Sequence, residues 1–213
     1  MRIAVLGARG NVGRRIVAEA LARGHEVTAI VRDPRQLGDI PARAEARVAD
    51  AASRTDVATV SADQDVVICA TRPTAGHEEV IERTTRCVLD GVGASRARLI
   101  IVGGAATLTV PGAEGRTVLQ DPRYLPVSAR PVAEASARQY EICRAESRVD
   151  WAYLSPAADL SSGKRTGKYR VGRDELLVDG KGNSHISVED LAVALLDEAE
   201  RPRHHRERFT VAY

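Results

Sequence analysis

Residues 1–21 read MRIAVLGARGNVGRRIVAEAL. The apolar run Ile3–Leu6 leads directly into Gly7, Gly10 and Gly13, glycines that recur at every third position. Such a run, bounded at once by a turn signal, reads as a buried strand, here Arg2–Leu6. From Asn11 to Arg23 the apolar residues Val12, Ile16, Val17, Ala20 and Leu21 share one helical face, and Gly24 supplies the stop. A strand, a glycine turn and a helix therefore follow one another without a spacer.

That order is what a dinucleotide diphosphate requires. The first glycine permits a sharp turn out of the strand. The second lets the diphosphate approach the backbone, and the third lets the helix pack closely on the sheet. Free N–H groups and the positive end of the helix dipole then face the phosphates. The expected contacts in this turn are Gly7, Ala8, Arg9, Gly10, Asn11, Val12 and Gly13.

Downstream, strands alternate with helices. EVTAIV (Glu26–Val31) is a second strand, and Asp33-Pro34 resembles an N-cap with proline at the first helical position. Weaker signals place a strand at Ala46–Ala49 and a helix at Ser53–Val60. DVVICA (Asp65–Ala70), RLIIV (Arg98–Val102) and DWAYL (Asp150–Leu154) are further strands; His77–Gly91 and Pro131–Ser147 are helices. A loop rich in Gly and Pro runs from Gly103 to about Arg130, and another covers Ser155–Lys168. Short strands at Asp174–Asp179 and Asn183–Val188, a helix at Glu189–Glu200 and a strand at Arg208–Val211 follow. This alternation implies right-handed crossovers and an α/β fold: a doubly wound parallel sheet (Rossmann fold) covered on both faces. The 213 residues suit a single domain, 1–213, with 155–188 forming a small substrate-side lobe.

Composition narrows the function. No run of about 18 apolar residues occurs, so no membrane span is expected. The net charge of +2 is spread over interspersed signs, which gives no electrostatic footprint for nucleic acid. Cys69, Cys87 and Cys143 are odd in number and widely spaced, which argues against disulfides and for a reducing, cytoplasmic setting. Metal-ligand spacing is absent; His204-His205 in RPRHHRER reads as a solvated loop. The chain is expected to act as a monomer or homodimer.

The residues after the second strand choose the cofactor. An acidic residue there binds the ribose of NAD, whereas an arginine accepts the extra phosphate of NADP. Both are present, as Arg32-Asp33. Asp33 has a competing task as helix cap, and a guanidinium fits phosphate bidentately, so Arg32 favours NADP(H), with Arg9 within reach of the same phosphate. Because ligands bind at the carboxyl ends of parallel strands, Asp50 and Ala51 are expected near the adenine. Ala70, Thr71 and Arg72 should lie near the ribose and phosphates. Gly103, Gly104, Ser155, Pro156 and Ala157 should flank the nicotinamide.

GARGNVGRRI, GHEVTAIVRDPRQL, VVICA, IIVGGAATL, DWAYLSPAADL, RTGKYRVG and HISVEDLAVALLDE occur in this order. Together they resemble the atypical short-chain dehydrogenase/reductase group of NAD(P)H-binding proteins, many of them labelled NADH-flavin reductases. The group is similar to flavin reductase/biliverdin reductase B and, more distantly, to NmrA-like regulators. The resemblance implies NAD(P)H-dependent reduction of a flavin (FMN or FAD) or quinone-like acceptor. The alternative is a non-catalytic NADP(H)-binding redox sensor.

Two departures stand out. Ordinary members carry Tyr-x-x-x-Lys on the helix before the sixth strand. The resemblance puts that pair near Ala133 and Ala137, and no lysine precedes Lys164. Tyr140, followed by Arg144, reads as a packing residue. The serine and histidine of flavin reductase/biliverdin reductase B fall at Gly104 or Ala105 and at Ala157 or Ala158, so neither polar group is present. Catalytic residues are therefore unknown at this level. Thr107, Tyr124, Ser155 and Asp159 are the substrate-side candidates, and Trp151 reads as core.

Overall fold

The computed structural model of the chain describes residues 1–73 and 76–213. Among the described residues, ten strands and five α-helices run in the order β1 (Arg2–Leu6), α1 (Asn11–Ala22), β2 (Glu26–Val31), β3 (Glu45–Val48), α2 (Arg54–Ser61), β4 (Val66–Cys69), α3 (Val80–Val92), β5 (Arg98–Val102), α4 (Arg130–Arg144), β6 (Trp151–Pro156), β7 (Asp159–Ser161), β8 (Arg170–Gly172), β9 (His185–Ser187), α5 (Val188–Glu200) and β10 (Glu207–Ala212).

The main sheet has eight strands in the order β3-β2-β1-β4-β5-β6-β10-β8. All its pairings are parallel except the edge pair of β8 with β10. The chain winds outward from β1 to β3, returns, and winds the other way from β4. The carboxyl ends of β1 and β4 therefore flank the topological switch point, where open α/β sheets bind ligands.

The apolar strand runs follow from burial on both faces. In β1, Ile3 and Val5 enter the core layer under α1 and α5, while Ala4 and Leu6 enter the layer under α2, α3 and α4. Trp151 is 2% exposed in the second layer, as its strand position implied. At the sheet edge β3 is short and exposed throughout, which explains its weak sequence signal.

Differences lie mainly after β6. That strand runs on to Pro156 instead of ending at Leu154. The expected loop Ser155–Lys168 contains β7, which pairs in parallel with β9. No strand forms over Asp174–Asp179, although the Asp179 turn does, its N–H bonding the Asn183 carbonyl at 2.8 Å. Leu176 of that stretch instead joins Leu108, Val110 and Val118 in a separate apolar cluster, with Tyr124 and Ala158 packed on it. The loop after β5 is thus a folded lobe that draws on both segments. His204 is not in a solvated loop either. It lies 2.8 Å from the Glu198 carboxylate and stacks on Phe209 with ring centroids 4.6 Å apart.

Candidate nucleotide and acceptor site

The glycine turn sits at the switch point. Gly7 has φ +80°, a left-handed conformation that favours glycine, and a Cβ there would lie 2.8 Å from the Ala70 carbonyl oxygen at the end of β4. A Cβ on Gly13 would overlap the Gly7 carbonyl, so the third glycine brings α1 onto the turn. The Gly10 N–H bonds Gly7 O at 2.9 Å, which closes the loop, and Gly10 itself is exposed. α1 begins there with no side-chain cap and no acidic residue in its first turn. Its first N–H groups lack intrahelical partners by geometry and are left to an anion. These features fit the diphosphate of a nicotinamide dinucleotide.

The side expected to face the adenosine carries paired and unpaired charge. Asp33 is the helix cap that its sequence context suggested. Its carboxylate accepts from the Arg35 N–H at 3.0 Å and from the Arg35 guanidinium at 2.6 Å. The Arg35 guanidinium, and then its N–H, hold the Asp33 carboxyl below its usual range. Arg32 is exposed and makes no ion pair among the described residues. Arg9 pairs with Asp39 at 2.8 Å. Asn11 orients Arg15 at 2.5 Å, and Arg15 ties α1 to Glu189 at 3.0 Å. Asp50 is spent in a local turn: its N–H meets Asp56 at 2.9 Å and its carboxylate accepts from Ala52 at 2.9 Å. Ala51 is half-buried against the core.

A cavity of about 230 Å³ opens beyond the turn, at the carboxyl ends of β4, β5 and β6. Val12, Ala70, Thr71 and Arg72 form the side nearest the turn, and Gly103, Gly104, Pro156 and Ala157 the floor. α4 supplies Ala133, Ser136 and Gln139, and the lobe supplies Ala105, Val118, Tyr124 and Ala158. Arg72 is the one charged residue in the wall among the described residues.

The other polar groups of the wall are already engaged. Ser136 Oγ donates to Ala133 O at 2.8 Å, Gln139 Nε2 to Thr85 Oγ1 at 3.3 Å, and Tyr124 Oη to Gly182 O at 2.9 Å. Under the floor, Tyr153 Oη bonds Gln139 Oε1 at 3.2 Å and accepts from the Gly104 N–H at 3.3 Å. Burial pushes that phenol far above its ordinary range.

Several expected residues stand elsewhere. Ser155 is fully buried in β6, its hydroxyl without a partner among the described residues, and it does not line the cavity. Thr107 is held by Arg208, whose Nη1 donates to its hydroxyl at 2.6 Å. Asp159 lies exposed in β7, 3.9 Å from His185. Tyr140 packs as anticipated, its ring 5.0 Å from that of Tyr153 and under Arg208. Ala133, where the resemblance puts a tyrosine, does face the cavity. Sequence reading missed Ser136 and Gln139; their spacing of three on an amphipathic helix after Ala133 was the available signal.

A parallel sheet with its glycine turn at the switch point and an apolar cavity alongside defines a Rossmann-type nucleotide-binding protein. A family model described as NAD(P)H-binding matches residues 7–202, and the chain belongs to that family. Solved structures that align over the full chain include the following three. A Bacteroides thetaiotaomicron protein with the provisional name epimerase is 40% identical, with TM-score 0.90 and 96% of its length covered. A Burkholderia pseudomallei protein provisionally described as exported is 37% identical, with TM-score 0.89 and 100% covered. A Streptococcus pneumoniae protein with the provisional name NADH-flavin reductase is 30% identical, with TM-score 0.87 and 99% covered. Among the described residues no helix is long and apolar enough to cross a membrane.

Proposed function

We propose that the protein transfers a hydride from NADPH to a planar acceptor of flavin or quinone type. The observation that carries this reading is the cavity wall: mostly apolar, at the carboxyl ends of β4–β6, with no carboxylate, imidazole, amine or thiol among the described residues and its one phenol, Tyr124, bonded to Gly182 O. Epimerisation and dehydration need a group that takes and returns a proton. Hydride transfer between two stacked rings needs alignment and dry walls, which this chain offers.

The amides of Asn11, Val12 and Gly13 would hold the diphosphate and Arg32 the 2′-phosphate, and the bound nicotinamide would supply the hydride. Val12, Ala133 and Val118 would press the rings flat and exclude water. Since Ser136, Gln139 and Tyr124 already have internal partners, the acceptor's proton comes from solvent.

Mixing the protein with NADPH and FMN, FAD or a quinone, and following nicotinamide absorbance, tests the reading. Turnover is expected; tight NADPH binding without turnover with any acceptor would instead make the protein a sensor of the NADP(H) pool. Arg32→Glu should weaken NADPH about 10- to 100-fold, the loss of one charge-assisted contact, and NADH far less. Equal weakening of both would refute the NADP assignment.

A further inference from the structure

We infer that Asp39 sets the strength of cofactor discrimination by competing with the 2′-phosphate for Arg9. The inference rests on the NADPH reading above. Arg9 projects from the glycine turn between β1 and α1, and the Ala8 N–H bonds Ile30 O at 3.1 Å, which fixes this loop beside the end of β2. Arg32 follows that strand directly, so the two guanidinium groups flank the place where the fold puts the adenosine ribose. Their electrostatic states differ. Arg32 is unpaired among the described residues, whereas Arg9 Nη2 lies 2.8 Å from Asp39 Oδ2.

Asp39 ends the short 3₁₀ helix Pro34–Asp39, which Asp33 anchors at its start through Arg35. The carboxylate therefore reaches Arg9 from a segment held at its far end. Asp39 is 53% exposed and Arg9 40%, so solvent screens the pair and its strength is modest. A dianionic phosphate on the ribose can displace it, but only by breaking the ion pair first. NADH brings no phosphate there and leaves the pair intact. Asp39 thus lowers affinity for the phosphorylated cofactor alone and keeps Arg9 neutralised when that cofactor is absent.

The test is a double-mutant cycle read by direct titration with NADPH and NADH, in wild type, Asp39→Asn, Arg9→Gln and the double variant. Asp39→Asn should lower the NADPH Kd about two- to fivefold, the range an exposed ion pair allows, and leave the NADH Kd in place. In the Arg9→Gln background the gain should vanish. An unchanged NADPH Kd in Asp39→Asn, an equal shift for both cofactors, or a gain that survives Arg9→Gln would overturn the inference. Wild-type protein with no preference for NADPH would overturn it together with the cofactor reading. A wild-type preference that Asp39→Asn fails to move overturns the role of Asp39 alone.

Discussion

Gly103 shows how one residue can be read correctly in place and incompletely in purpose. Its position after an apolar strand marks it as a ligand-facing glycine, and it does line the cavity. The stronger demand comes from beneath. β5 and β6 pair with Ile101 beside Tyr153, and the Tyr153 ring rises under Gly103, where a Cβ would overlap it. A Cβ on Gly104 would stand 2.5 Å from Ser136 Oγ. The first demand is invisible without the register of β5 and β6, some 50 residues apart, and the second without the packing of α4 over the end of β5. Gly103→Ala should destabilise the fold by about 1–3 kcal/mol, the usual cost of overpacking, as measured by urea unfolding. Pairing it with Tyr153→Leu should recover part of that loss. Gly13 and the turn at Gly7 were legible, because that constraint lies within one short segment, whereas the close approach of Gly7 to Ala70 O at the end of β4 was not.

The same division between local and distant causes holds for whole elements. β1, β2, β4, β5 and β6 were readable because both their faces are buried, which leaves uninterrupted apolar runs. β7, β8 and β9 have three residues each and no room for a period to show. α5 was placed to within a residue of its start, but its cap, Ser187, whose Oγ accepts from the Asp190 N–H at 3.0 Å, was read as part of the preceding strand. The helix's second role was not legible either. Asp190 is fully buried and accepts from the N–H groups of Thr166 and Gly167, each at 2.8 Å, and from Tyr213 Oη at 2.6 Å. Burial alone would raise this carboxyl; the Thr166 and Tyr213 hydroxyls outweigh it and keep the group lowered and ionised. Asp190→Ala strands those donors and should cost about 3–5 kcal/mol in thermal or urea unfolding, whereas Ser187→Ala should cost about 1 kcal/mol. Equal small losses from both would show that the segment 164–167 is held by other contacts.

At the scale of the whole molecule, the lobe's response to acid turns on Asp121. Asp121 is 2% exposed, and its carboxylate accepts from the Arg123 guanidinium at 2.7 Å and the Arg123 N–H at 3.0 Å. The guanidinium first, and then the N–H, bring its pKa from 3.8 down to about 2. A folded-state pKa below the unfolded value gives stabilisation that is complete above pH 3.8 and fades as pH falls toward 2. Hydrogen exchange should therefore show the Val118 and Leu119 amides losing protection over that interval, and Asp121→Asn should remove the acid-dependent part. An unchanged pH profile in that variant would place the sensitivity elsewhere. The lobe's anchorage has a consequence in time. Arg208 fastens it through Asp174 at 2.5 Å and Thr107 at 2.6 Å, partners 34 and 101 residues away in sequence, whereas the glycine turn closes between Gly7 and Gly13. Long loops close slowly, and contacts this distant form after local ones. During refolding the glycine turn thus forms early and the lobe is anchored late, so the wall of the cavity that the lobe supplies is the last part of the site to be completed.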